Sequence, residues 1–200
     1  MISILRSDLY RTVTIRSSVV SLVVLSLLVL LVGAVNIDAW ALMAGMGAFG
    51  FAAMVVAQHY QHRTAVLLYL SQPRRMVVLG GQLAAATVVA TGFVATSGLA
   101  VLIRGDAGPY RDLVTVVPIL AILAGSCASV VRRSTWLFLG AAGWFVFVEG
   151  LVGRLQLPLP FTALISAGAG DTRGLLTAAG WAAVALAVAS VSVGRDLTGD

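Results

Sequence analysis

Two histidines, one cysteine and eight carboxylates are the groups this chain of 200 residues offers for acid–base, nucleophilic or metal chemistry. Their spacing does not assemble a reaction centre. His59 and His62 share one polar segment with no third ligand nearby, fewer than the donors that hold a zinc ion. Cys127 stands alone in an apolar run, with no partner for a disulfide or a metal, and reads as a small core residue. Glu149 is the one acidic residue inside a long apolar stretch. Ionisable groups at membrane depth are costly and mark functional positions. With Trp144 and Phe145 beside it, Glu149 is a candidate for lining a translocation path. The competing reading is an interfacial carboxylate near the outer end of its span, with the aromatic rings serving only packing.

Motifs with a definite mechanism are missing or misplaced. Gly45-Met46-Gly47-Ala48-Phe49-Gly50 matches GxGxxG, but no strand precedes it and no acidic residue follows about twenty positions on. Small residues in such a stretch instead let helices approach closely. Thr96-Ser97-Gly98 lacks a glycine two residues before the serine, and no apolar stretch holds a histidine to act as its base. A nucleotide-binding P-loop requires a lysine on the phosphates, and the chain contains none. If ATP drives this protein, another chain must hydrolyse it. No catalytic residue and no cofactor or metal site is expected here.

The elements that carry these residues follow from composition. The hydrophobic fraction is 60%, the charged fraction 10% and the mean hydropathy +1.00. Soluble domains carry about 25% charged residues. So much apolar surface cannot be hidden in a core of this size, whereas lipid accommodates it. One membrane domain over residues 1–200 is expected. Arg is the sole strong base, and with abundant Ala, Gly and Val it suits a high-GC bacterial genome. The net charge of +5 is scattered over loops, as membrane topology requires, and not gathered into a nucleic-acid surface.

The fold class expected is all-α integral membrane. Six segments have the length and apolarity of a span, near 18–36, 39–58, 77–103, 113–131, 135–152 and 174–193. Continuous runs of this length exclude the alternating strands of a barrel. The first run is too long for the core of a removable signal and is read as an uncleaved span. With the N-terminus inside, Arg6, Arg11, Arg16, Arg63, Arg74, Arg75, Arg132, Arg133 and Arg195 are cytoplasmic, and Arg104, Arg111, Arg154 and Arg173 are outside. That split of nine to four places both termini in the cytoplasm of a bacterial inner membrane.

Three connecting segments have a pattern of their own. Ile2, Leu5, Leu9 and Val13 recur at helical spacing, which predicts an amphipathic helix over 2–16 lying on the membrane surface. Between spans 2 and 3, the apolar run Val66 to Leu70 would not lie bare in water and is stopped before Pro73. A short helix is expected there. Tyr60, Thr64, Leu67 and Leu68 fall along one side of it, with His59, Arg63, Arg74 and Arg75 flanking. Between spans 5 and 6, the stretch from Leu155 to Gly170 is apolar but interrupted by Pro158, Pro160 and two glycines. It is expected outside, dipping back as a pathway lid or lying as an interfacial loop.

This arrangement resembles the permease subunits of the type-2 ATP-binding-cassette (ABC) transporters over nearly the whole chain. The likeness lies in the N-terminal amphipathic segment, six spans, the patterned loop between spans 2 and 3, the apolar loop before span 6 and the closing Arg195-Asp196. HYQHRTAVLLYLSQPRR, residues 59–75, fits the family's loop, with Thr64, Pro73, Arg74 and Arg75 in place. It departs with His59 at a usually acidic position and Arg63 at a usual glycine. The resemblance implies an elbow helix, a coupling helix docking a separate ATPase subunit that binds ATP and Mg, and pairing with a second permease copy or paralogue. It implies export of a drug, peptide, lipid or glycan. Rival readings are a substrate-binding membrane subunit of a vitamin importer, a secondary transporter and a structural membrane subunit. The first usually carries Ala-x-x-x-Ala in span 1, which Ser18 to Val35 lacks. The second usually needs several charged intramembrane groups, and the spans offer Glu149 alone.

Overall fold

The computed structural model describes Ser7, Tyr10, Thr14, residues 16–61 and residues 75–195. Its elements in chain order are α1 (Arg16–Val35), α2 (Ile37–Gln61), α3 (Arg75–Ser97), α4 (Leu99–Ile103), α5 (Ala107–Val131), α6 (Ser134–Gly143), the π-helix π1 (Trp144–Val152), α7 (Pro160–Gly168) and α8 (Thr172–Arg195). No strand occurs among the described residues. Among the described residues six helices are long and apolar enough to cross a membrane, with α6 and π1 forming one continuous span. The chain is a multi-pass helical membrane protein. Of the segment 2–16, Ser7, Tyr10, Thr14 and Arg16 are helical, and the Thr14 hydroxyl donates to the Tyr10 carbonyl at 2.6 Å. The rest of that segment, and residues 62–74 with the expected coupling helix, lie outside the described residues.

The central element is α5, which packs against α2, α3, α7 and α8. Small side chains make this possible. Ala44, Ala48 and Ala52 recur every fourth residue along α2 and are fully buried. Ala86 and Ala90 on α3 repeat the spacing of four, and Ala121, Ala124 and Ala128 on α5 fall at spacings of three and four, all of them buried. Lipid is as apolar as leucine, so helices in a membrane associate through close packing and not through a hydrophobic gradient, and small residues permit it. By contrast α1 and the α6–π1 span are largely exposed, with Leu27, Leu31, Leu139 and Phe147 among their uncovered side chains.

Span 3 is shorter than its apolar run. The expected 77–103 is broken at Gly98, which separates α3 from α4. Just before it the Thr96 hydroxyl bonds the carbonyls of Gly92 and Phe93, and the Ser97 hydroxyl bonds that of Val94. Such back-bonding bends helices. A Cβ on Gly98 would come within 2.6 Å of the Tyr110 ring and 2.7 Å of Trp40, so the bend lets two aromatic residues close over the chain. Span 4 begins earlier than expected, at Ala107.

Side-chain contacts define the two ends of the bundle. At one end Gln61 Nε2 donates to Ser134 Oγ at 2.6 Å, the Arg132 guanidinium lies 5.7 Å over the Tyr60 ring, and Arg75 Nη1 donates to the Val193 carbonyl at 3.2 Å. This basic end carries Arg75, Arg132, Arg133 and Arg195, and α1 starts from it at Arg16. At the opposite end Arg104 donates to the Ala34 carbonyl at 2.9 Å, and Asn36 and Asp171 cap the helices that follow them. Asp38, Asp106, Asp112 and Asp171 all belong to that end.

Candidate functional site

Glu149 is fully buried, and its carboxylate accepts four hydrogen bonds. Oε1 accepts from Trp144 Nε1 at 2.9 Å and from the Phe161 backbone N–H at 3.0 Å. Oε2 accepts from the Thr162 N–H at 2.5 Å and the Thr162 hydroxyl at 2.7 Å. A carboxylate offers about four lone-pair positions, and all are used. Within this chain Glu149 is a closed, fully satisfied anchor.

The backbone explains how the chain builds it. In π1 the bonding partners shift from four residues apart to five and six. The Gly153 N–H reaches the Val148 carbonyl and the Leu155 N–H reaches that of Glu149, both at 2.8 Å. This wider winding brings residues five apart together, as with Trp144 and Glu149. Gly153 fits the crowded exit, since a Cβ there would lie 3.1 Å from the Glu149 carbonyl. The loop then turns through Arg154 and Leu155, both at positive φ. It returns so that α7 starts at Pro160, level with Glu149. The opening turn of a helix leaves its N–H groups unpaired. In α7 the first position is proline, which has no N–H, and the next two N–H groups end on Glu149. A negative charge there also meets the positive end of the helix dipole.

Trp144 and Phe145, the candidate path residues beside Glu149, contribute to the same junction. Phe145 meets Phe161 edge-on at 5.7 Å, and Phe161 in turn packs on Phe49 of α2 at 5.5 Å. The far side of α7 lies directly on α8. A Cβ on Gly174 would fall 2.7 Å from the Ala167 nitrogen, so glycine is required there. Trp181 of α8 donates to the Pro158 carbonyl at 3.0 Å. The segment expected as an irregular loop or lid is thus a short helix clamped between π1, α5 and α8, with Thr162, Ala163, Leu164 and Ala167 buried. A cleft of about 210 Å³ opens beside it, lined in part by Gln156, Pro158, Ser166 and Arg173.

The residues expected to dock a partner are divided by the structure. His59 and Tyr60 belong to the last turn of α2, and His59 is buried while Tyr60 is half-buried against the core. Arg75 is the first residue of α3 and reaches the end of α8. Arg63, Thr64, Leu67, Leu68 and Arg74 lie outside the described residues. The flanks of that loop are thereby fixed to spans 5 and 6.

Other motifs find packing roles. Of the three GxGxxG glycines only Gly47 makes a close approach, to Phe93 of α3, while Gly45 and Gly50 face open space. Cys127 is half-buried and free of any disulfide. Among the described residues no group of three His, Cys, Asp or Glu is placed to hold a metal ion. The anchor role of Glu149 had one sequence signal, a proline-led apolar segment twelve residues further on, but nothing in the sequence paired the two. No family model matches this chain, and no curated protein or solved structure does either.

Proposed function

We propose that this chain is the permease subunit of a type-2 ABC transporter, an exporter of a drug, peptide, lipid or glycan in a bacterial inner membrane. The observation that carries the reading is the setting of residues 62–74. They join two spans at the basic end, and both flanks are tied across the bundle, Gln61 to Ser134 and Arg75 to Val193. A force applied to that loop would reach the ends of spans 5 and 6 directly. This is the coupling an ATP-driven permease needs. The loop's sequence, with its apolar run Val66 to Leu70 between Thr64 and Pro73, supplies the docking chemistry.

In this reading the basic end, with both termini, faces the cytoplasm. A second copy or a paralogue completes the pathway, and ATP with Mg is bound and hydrolysed in the partner ATPase. Glu149 holds α7 at the outer mouth, where a rigid helix excludes solvent. The test is purification of the tagged full-length chain from its native membrane in mild detergent. Recovery of a P-loop ATPase whose activity is inhibited by vanadate supports the proposal. Recovery of the chain alone, fully folded, counts against it and favours a structural or secondary-transport role.

A further inference from the structure

Gln82 of α3 is only 1% exposed, yet neither its amide oxygen nor its amide nitrogen has a hydrogen-bond partner. The Ser126 hydroxyl on α5 is fully buried and likewise without a partner. Unsatisfied polar groups inside a membrane bundle are strongly unfavourable, and leucine or alanine at these positions would avoid the cost. The two lie at one depth. Gln82 is seven residues into α3 and Ser126 five residues before the end of α5, about 10 and 8 Å from the basic end at 1.5 Å per residue. Their helices meet at this level. A Cβ on Gly125 would fall 2.6 Å from Leu83 of α3 and 3.2 Å from Val56 of α2. Three helices therefore pack tightly at the level where these two polar groups have nothing to bond.

We propose that the Gln82–Ser126 layer is a hydrogen-bonding site for a neutral polar solute, water included, entered from the basic end as α2, α3 and α5 part. The chemistry of the layer sets the class of ligand. An amide offers one acceptor oxygen and two donor hydrogens, and a hydroxyl offers both functions. Each complements a hydroxyl, an amide or water. An ion would find no counter-charge, because Glu149 is the one buried Asp, Glu or Arg among the described residues and it is saturated at the opposite end. His59, also buried, lies two residues from the end of α2, on the side of entry. The inference goes beyond the permease reading and does not require an ATPase.

The test is water access, read with a charged methanethiosulfonate reagent on the full chain in a Cys127→Ser background. Gln82→Cys is compared with Ala90→Cys, which is fully buried two turns deeper on the same helix. The site predicts modification of Gln82→Cys at least tenfold faster than of Ala90→Cys, from the basic side of sealed vesicles. Equal, slow modification at both positions overturns it. Should Gln82→Cys fail to fold, Ser126→Cys changes a single atom and carries the same comparison with the same two outcomes. Because labelling reads this chain alone, its failure is distinct from failure to recover an ATPase.

Discussion

Thr162 is bound to Glu149 twice, through its backbone N–H at 2.5 Å and its hydroxyl at 2.7 Å. A helix is usually capped by a side chain immediately before its first turn. Here the cap comes from another span, thirteen residues earlier, so the cap and the tertiary contact are one interaction. Removing the carboxylate would strip the buried donors of Thr162, and the part-buried N–H groups of Phe161 and Trp144, of their acceptor.

Glu149→Ala is therefore expected to destabilise the protein by about 3 kcal/mol or more, since bonds to a charged acceptor are worth about 1.5–3 kcal/mol each. Glu149→Gln keeps the shape and one acceptor but turns an amide NH2 toward a donor, so it should fall between Ala and the native residue. Thermal unfolding in detergent checks the order. Unchanged midpoints in both variants would show that α7 does not depend on this carboxylate.

The α7–α8 contact makes a second expectation. Gly174→Ala places a methyl group 2.7 Å from a backbone nitrogen, which neither helix can yield by a side-chain movement. Overpacking of this kind costs about 1–3 kcal/mol. Gly180→Ala, six residues along the same helix and facing open space, should cost nothing measurable. Equal stability of the two variants would contradict the close approach.

Much of the bundle was legible because span length and apolarity are properties of continuous sequence. The bend at Gly98 was not, since it depends on hydroxyls of Thr96 and Ser97 choosing backbone partners and on rings of Trp40 and Tyr110 from other helices. The character of Glu149 was half legible. Its cost at membrane depth was visible, but three of its four donors lie on a segment that its prolines made look irregular. Pro160 in fact starts a helix, the position proline tolerates best.

Topology is open to direct measurement. In a Cys127→Ser background, single cysteines at Thr64 and Ser134 should be labelled only from the cytoplasmic side, and one at Gly108 only from outside. Labelling of Thr64 from outside would reverse the orientation drawn from the arginine distribution.

The isolated chain should not hydrolyse nucleotide above background, because it has no lysine with which to form a P-loop. Sustained hydrolysis by the verified single chain would remove the need for a separate ATPase and with it the permease assignment.

The proposed coupling is tested most directly by Leu67→Asp with Leu68→Asp, followed by purification of the chain and assay of the ATPase recovered with it. Truncating buried anchors at such a contact costs about 2 kcal/mol or more each, and two carboxylates on an apolar face cost further. The double variant is predicted to insert all six spans, to elute as a folded protein and to lose its ATPase and its transport together. A variant that keeps both the ATPase and full transport would contradict the coupling role of residues 62–74.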